Sequence, residues 1–148
     1  MPDTKNAIFF QLFNEIGIIA QLSRALFEAR LPDGLLVSHF SVLNHLIRVG
    51  DGPTPLTLAR AFQVPKTTMT HTLSILERHG FVQMRPNPDD KRSKQVWITD
   101  AGREFRDQAI QSLGPDIAEL SKRYSVDDVQ TLLPHLTQLR QIMDQQRD

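Results

Sequence analysis

A chain of 148 residues, 40% hydrophobic and 23% charged, is sized for one domain with a real core and has the balance of an ordinary soluble globular protein. It contains no cysteine, which excludes a disulfide scaffold, a thiolate zinc site and a sensor working by cysteine oxidation. Its 17 basic and 17 acidic residues cancel, which is unpromising for a nucleic-acid binder, but the distribution of charge matters more than its sum.

The first predicted element is a helix from about Asn6 to Ala29. Phe9, Leu12, Phe13, Ile16, Ile19, Leu22 and Leu26 recur at helical spacing, and Ile8, Phe10, Ile18 and Phe27 widen the stripe beyond one face. A helix apolar on two sides needs cover on two sides, and a partner chain is the natural second cover. The apolar stretch from Ile8 to Leu22 is interrupted by Gln11, Asn14 and Glu15, which is too polar for a membrane span. Asp3 and Lys5 ahead of it do not make a signal-peptide layout, so a cytoplasmic location is expected.

Leu31-Pro32-Asp33-Gly34 breaks this helix, and a second runs from about Leu36 to Val49, stopped by Gly50. Thr54-Pro55 reads as N-cap plus first-turn proline of a short helix through Phe62. Only Gln63-Val64-Pro65 separates it from the next helix, about Lys66 to His79, ended by Gly80. Two short helices joined this tightly make a helix-turn-helix, with a plain helical hairpin as the alternative. Phe81–Arg85 and Lys94–Ile98 then alternate and are rich in β-formers around the polar loop 86–93. A hairpin directly after the helix pair makes the arrangement a winged helix.

Thr99-Asp100 caps a long helix, about Ala101 to Tyr124, in which Gly114-Pro115 predicts a kink. Ser125 caps the last helix, whose seam is Val129, Leu132, Leu133, Leu136, Leu139 and Met143. The charges are uneven along this map. Residues 53–98 hold seven cations (Arg60, Lys66, Arg78, Arg85, Lys91, Arg92, Lys94) against three acids, whereas residues 1–52 hold four against five and residues 99–148 six against nine. A basic island in the helix-turn-helix and hairpin suits one face turned to a nucleic acid, with chance fluctuation as the alternative.

A helix that reads base edges needs short polar side chains, and cations to hold phosphates. Lys66, Thr67, Thr68, Thr70, His71 and Ser74 supply the polar surface, with Met69, Leu73, Ile75 and Leu76 left to pack inward. Arg78 at the helix end and Lys91 and Lys94 in the loop suit phosphate contacts, although a solvated helix face and ordinary wing solubility are the competing readings. No Arg or Asn occupies the centre of the helix. Sequence reading is therefore expected to rest on hydroxyls, thymine methyls, His71 and DNA shape. Against an enzyme, the five histidines show no spacing that aligns two ligands on a helix face, and no phosphate loop or nucleophile motif is present. No cofactor or metal is expected. His39 and His45 suit packing or surface roles better than effector binding.

The run LARAFQVPKTTMTHTLSILERHGFV and the wing pattern Asp90-x-Arg92-Ser93-x-x-Val96-x-Ile98-Thr99, followed by Asp100-Ala101-Gly102, resemble the multiple-antibiotic-resistance regulator (MarR) family. The order of elements matches over nearly the whole chain. The resemblance implies a mostly α winged helix-turn-helix with a small β-hairpin wing, in a single domain over 5–145. Its DNA-binding lobe would span about 53–99, and its long dimerisation helices about 6–29 and 101–147. It implies a homodimer on double-stranded DNA with a pseudo-palindromic operator, usually a repressor, released by a small aromatic or phenolic effector whose pocket the sequence does not locate. Arg92 then resembles the wing-tip arginine that enters the minor groove, and Asp90 the acid that orients it. Pro65 departs from the family, which commonly has serine or a similar cap there; a shifted cap is expected. The rival is a winged helix used only as a protein-interaction module, which would show apolar rather than hydroxylic residues on the second helix.

Overall fold

The computed structural model describes residues 3–147, which fall into two compact units divided after Ser112. The first unit holds α1 (Thr4–Glu28), α2 (Val37–Val49), α3 (Pro55–Phe62), α4 (Lys66–Arg78), β1 (Val82–Pro86), β2 (Lys94–Ile98) and α5 (Asp100–Gln111). The second holds α6 (Gly114–Ser121) and α7 (Val126–Gln146). The order helix, helix, helix-turn-helix, hairpin, helix is the winged-helix arrangement read from the sequence.

The core sits where α2, the α3–α4 pair and the hairpin meet. Val42, Leu43 and Leu46 of α2, Leu58 and Ala59 of α3, and Met69, Leu73 and Leu76 of α4 pack with Val82, Val96 and Ile98 of the strands. Ile75, expected inward, is only half-buried. The helix-turn-helix closes through Gln63, which ends α3 in the left-handed region (φ 54°, ψ 46°) while Val64 N donates to Ala59 O at 3.0 Å. The strands are antiparallel, with Val82 opposite Ile98 and Pro86 opposite Lys94. On the other edge of β2, Gly52 N donates to Val96 O and Val96 N to Pro53 O, both at 2.9 Å. Residues 51–53 thus brace the wing along the free edge of β2. Asp51 extends the brace: its Oδ1 accepts from Ile98 N at 2.7 Å and its Oδ2 lies 3.8 Å from the Arg103 guanidinium.

Thr99 fastens the base of the wing to the end of α4. Its hydroxyl donates to Gly80 O at 2.6 Å and accepts from Gly102 N at 3.0 Å as the cap of α5. Gly102 lies so close to the chain that a Cβ there would fall 2.2 Å from Phe81 O. The 101–124 helix expected to kink instead breaks: α5 ends at Gln111, and a new helix starts at Gly114 with Pro115 in its first turn. Proline is favourable at such a start and costly in a helix interior, so ending one helix and opening another satisfies it better than bending. Pro134, by contrast, lies inside α7.

Candidate nucleic-acid interface

In α4, burial sorts the residues into two faces. Met69, Thr72, Leu73 and Leu76 point into the core, while Lys66, Thr67, Thr68, Thr70, His71, Ser74 and Arg78 are exposed. Thr72 is the hydroxyl that the outer face does not use; it donates to Thr68 O one turn back at 3.1 Å. Thr67, His71, Ser74 and Arg78 follow at helical steps of four, three and four, making one stripe along the outer side. Thr70, Ser74 and Glu77 line a second row, which with Pro55, Leu73 and Met84 borders a cleft of about 140 Å³ between helix and wing. The helix survives Pro65, which is itself the N-cap (φ −59°, ψ 148°), but no side chain caps it. The shifted side-chain cap expected from the sequence does not form, because proline's side chain has no acceptor to offer.

The wing tip is a braced loop rather than a floppy one. Asn87 Oδ1 accepts from Asp89 N and Asn87 Nδ2 donates to Ser93 Oγ, each at 3.0 Å. Ser93 N donates to Asp90 O at 3.1 Å. Asp90 Oδ1 accepts from Arg92 N at 3.0 Å and from Arg92 Nε at 3.4 Å. The Arg92 side chain nevertheless keeps 93% of its surface open, so the carboxylate aims the guanidinium without covering it. Lys91 and Lys94 are exposed on either side. The Asn87–Ser93 brace was not singled out in the sequence, although turn-forming side chains six residues apart were its signal. On the wing's outer face Arg85 lies over the Trp97 ring, 4.1 Å from its centroid, and donates through Nε to Gln83 Oε1 at 3.0 Å.

His39 belongs to packing. It is buried, and its Nδ1 accepts from Leu36 N at 2.8 Å, capping α2. Burial holds its imidazole below the ordinary 6.5, and charge on His79 and His71 pushes the same way. His45 makes an edge contact with Phe62, ring centroids 5.2 Å apart. Among the described residues no cluster of three or more His, Asp or Glu could hold a metal, and no helix is long and apolar enough to cross a membrane.

Comparison with known proteins decides what this surface belongs to. The model of the MarR family matches residues 33–93, from the loop before α2 to the wing tip. The multiple antibiotic resistance protein MarR of Escherichia coli K12 is 34% identical over 130 residues, covering 82% of this chain and 90% of that protein. The chain belongs to the MarR family. A second relative, the transcriptional activatory protein BadR of Rhodopseudomonas palustris, is 28% identical over 137 residues, covering 90% of this chain and 77% of that one. Among solved structures, a cysteine-to-serine mutant of E. coli MarR complexed with operator DNA superposes with a TM-score of 0.68. It is 30% identical, with 93% of this chain and 98% of that chain covered. The E. coli protein thus has a cysteine to mutate, whereas this MarR-family chain has none.

Proposed function

We propose that this protein is a cytoplasmic, homodimeric transcriptional regulator that binds a pseudo-palindromic operator in double-stranded DNA and is released from it by a small aromatic effector. One observation carries the reading. The hydroxylic stripe of α4 is open to solvent beside a wing whose tip arginine is held extended by a carboxylate. A neutral-to-cationic helix face fits a major groove, and a projecting guanidinium fits the stronger negative potential of a narrow minor groove. Lys66, Arg78, Lys91 and Lys94 hold the flanking phosphates, and Thr67, Thr68, Thr70, His71 and Ser74 face base edges. The operator-bound structure among its relatives supports this docking.

The lobe of about residues 53–99 does the binding, and the helices of about 6–29 and 101–147 dimerise, in a single functional domain of about 5–145. The apolar residues left open on α1, among them Phe9, Phe10, Ile19 and Leu22, and on α7, among them Val129, Leu132, Leu133 and Met143, support a second copy as their cover. One lobe makes a small footprint, and two lobes reading half-sites about one helical turn apart give useful affinity. An open groove between α1 and α2, where the Phe27 and Phe40 rings lie 4.5 Å apart beside Arg24, itself 3.9 Å from Glu28, supports this as the effector site. A phenolic acid there favours a dimer geometry that mismatches the operator. Repression is the family's usual mode, and BadR's description as an activator makes a reporter assay the arbiter of sign.

Titrating the protein with random-sequence duplex at rising salt tests the reading. Binding should fall by orders of magnitude as counterions compete, and Arg92→Ala should cost more than about 1 kcal/mol. Absence of salt-sensitive binding leaves the protein-interaction module as the function, and binding untouched by Arg92→Ala overturns the wing assignment alone. Phenolic acids added to the complex should release the DNA, and Arg24→Ala should abolish that release.

A further inference from the structure

Each face of the hairpin's two strands carries one exposed cation just behind the wing tip. Antiparallel pairing sets Arg85 opposite Gln95 and Pro86 opposite Lys94, and successive strand residues alternate between faces. Lys94 therefore shares the face of Met84 and Val96, which packs on the core further down the wing, while Arg85 shares the outer face with Gln83, Gln95 and Trp97. Neither strand contains an acid. Arg85 is also held ready for a ligand. Its guanidinium carbon sits 4.1 Å from the Trp97 ring centroid, and its Nε donates to Gln83 Oε1 at 3.0 Å. Its two Nη groups have no partner among the described residues, whereas Arg103, Arg106 and Arg140 each face an aspartate. Trp97 is supported from behind, since a Cβ on Gly52 would meet its Cζ2 at 4.0 Å. Its indole N–H is enclosed without an acceptor, a cost that phenylalanine would not carry. What tryptophan adds is the ring face that holds a cation best.

Resting on the operator-binding reading, we propose that Arg85, propped on Trp97, grips a phosphate on the rim of the minor groove opposite the rim held by Lys94. The two faces of the wing then clamp both backbone strands while the tip lies between them. The dimensions agree. From the Asn87–Ser93 brace back to the Arg85–Gln95 pair is two residues, about 7 Å of strand, and a B-form minor groove is about 7.5 Å deep. A wing that lowers Arg92 into the groove therefore brings Arg85 and Lys94 level with the phosphates at its edges. The chemistry agrees as well. A planar fork with two open Nη groups matches two oxygens of one phosphate, which a lysine ammonium meets only as a point charge. A surface arginine usually loses side-chain freedom when it takes a ligand. The ring and Gln83 have already removed part of that freedom in the unbound wing.

The test begins with selection of a duplex from a randomised pool by the full-length protein, followed by titration of that duplex at rising salt. Arg85→Gln should select the same sequence, because phosphate contacts position a protein without reading bases. Its plot of log affinity against log salt should be shallower by roughly 0.9 for each chain, about 1.8 for a dimer. Arg85→Lys, which keeps the charge without the fork, should recover the slope but only part of the affinity. Neutral methylphosphonate linkages placed one at a time should then locate the contacts. One phosphate per half-site should stop mattering in Arg85→Gln, and a phosphate across the minor groove from it should stop mattering in Lys94→Gln. A wild-type slope in Arg85→Gln makes Arg85 a structural part of the hairpin and overturns the proposal, even where affinity falls. Loss of the same phosphate in both variants overturns it too. Either result leaves operator binding in place so long as Arg92→Ala still weakens it, whereas failure to enrich any sequence overturns the operator reading itself.

Discussion

Single side chains set the limits of this lobe in two places. His39 caps α2 through an unprotonated Nδ1, and burial lowers its affinity for protons. The unfolded chain therefore binds a proton more readily than the folded one as pH falls. The contribution of neutral His39 to stability is complete above the ordinary 6.5 and is lost as the pH drops below it toward the lowered folded value. Urea titrations from about pH 7.5 to about pH 5 should show stability falling, and His39→Gln should flatten that fall because its side-chain oxygen takes over the cap without titrating. Gly102 is the second limit. Its α-hydrogen faces Phe81 O where no larger group fits, so Gly102→Ala must push α5 away from the base of the wing. A loss of roughly 2–3 kcal/mol in unfolding free energy is expected; a loss below about 0.5 kcal/mol would mean that the junction yields to the added methyl.

Among elements, the helix-turn-helix depends on a three-residue turn with a non-glycine residue at positive φ. Gln63 accepts that position because its unbranched side chain points to solvent. Gln63→Val should cost about 1–2 kcal/mol and Gln63→Gly little or nothing, as judged by thermal unfolding. Periodicity made α2, α3 and α4 legible in the sequence to within about two residues, since their apolar residues share one core. The outer stripe of α4 was legible for the same reason, read in reverse. Asp90 and Arg92 were legible only through likeness to a family, because nothing in residue spacing says that a carboxylate aims its neighbour. The brace of residues 51–53 and the cap at His39 escaped because both join segments distant in sequence or use unusual residues for their roles. The break at Ser112–Leu113 was read as a bend: proline announces trouble in a helix, but local chain energetics alone do not say whether bending or stopping costs less.

The first unit has a well-filled core at α2–α4 and the hairpin, while α1 in that unit, and α6 and α7 in the second, carry apolar residues left open. None of the residues of α1, α6 or α7 is buried, and the proposed second copy is a cover for their apolar side chains. Association that covers them links stability to concentration. The unfolding temperature should rise measurably between micromolar and hundred-micromolar protein, and sedimentation should give twice the chain mass. Leu22→Glu, a charge placed on one of the most open apolar residues of α1, should shift that equilibrium toward monomer and weaken operator binding together with it. A concentration-independent transition at monomer mass would dismiss the two-fold arrangement.

The wing's Trp97, the chain's one tryptophan, has its indole N–H enclosed with no acceptor among the described residues and its ring beneath the Arg85 guanidinium. This makes the molecule its own optical reporter. A shielded indole emits towards the blue, and any event that draws Arg85 off the ring, a phosphate passing the wing for instance, changes that light without a dye. The protein thus has a lamp mounted beside its wing, and nothing elsewhere in the chain shines at the same wavelength to blur it.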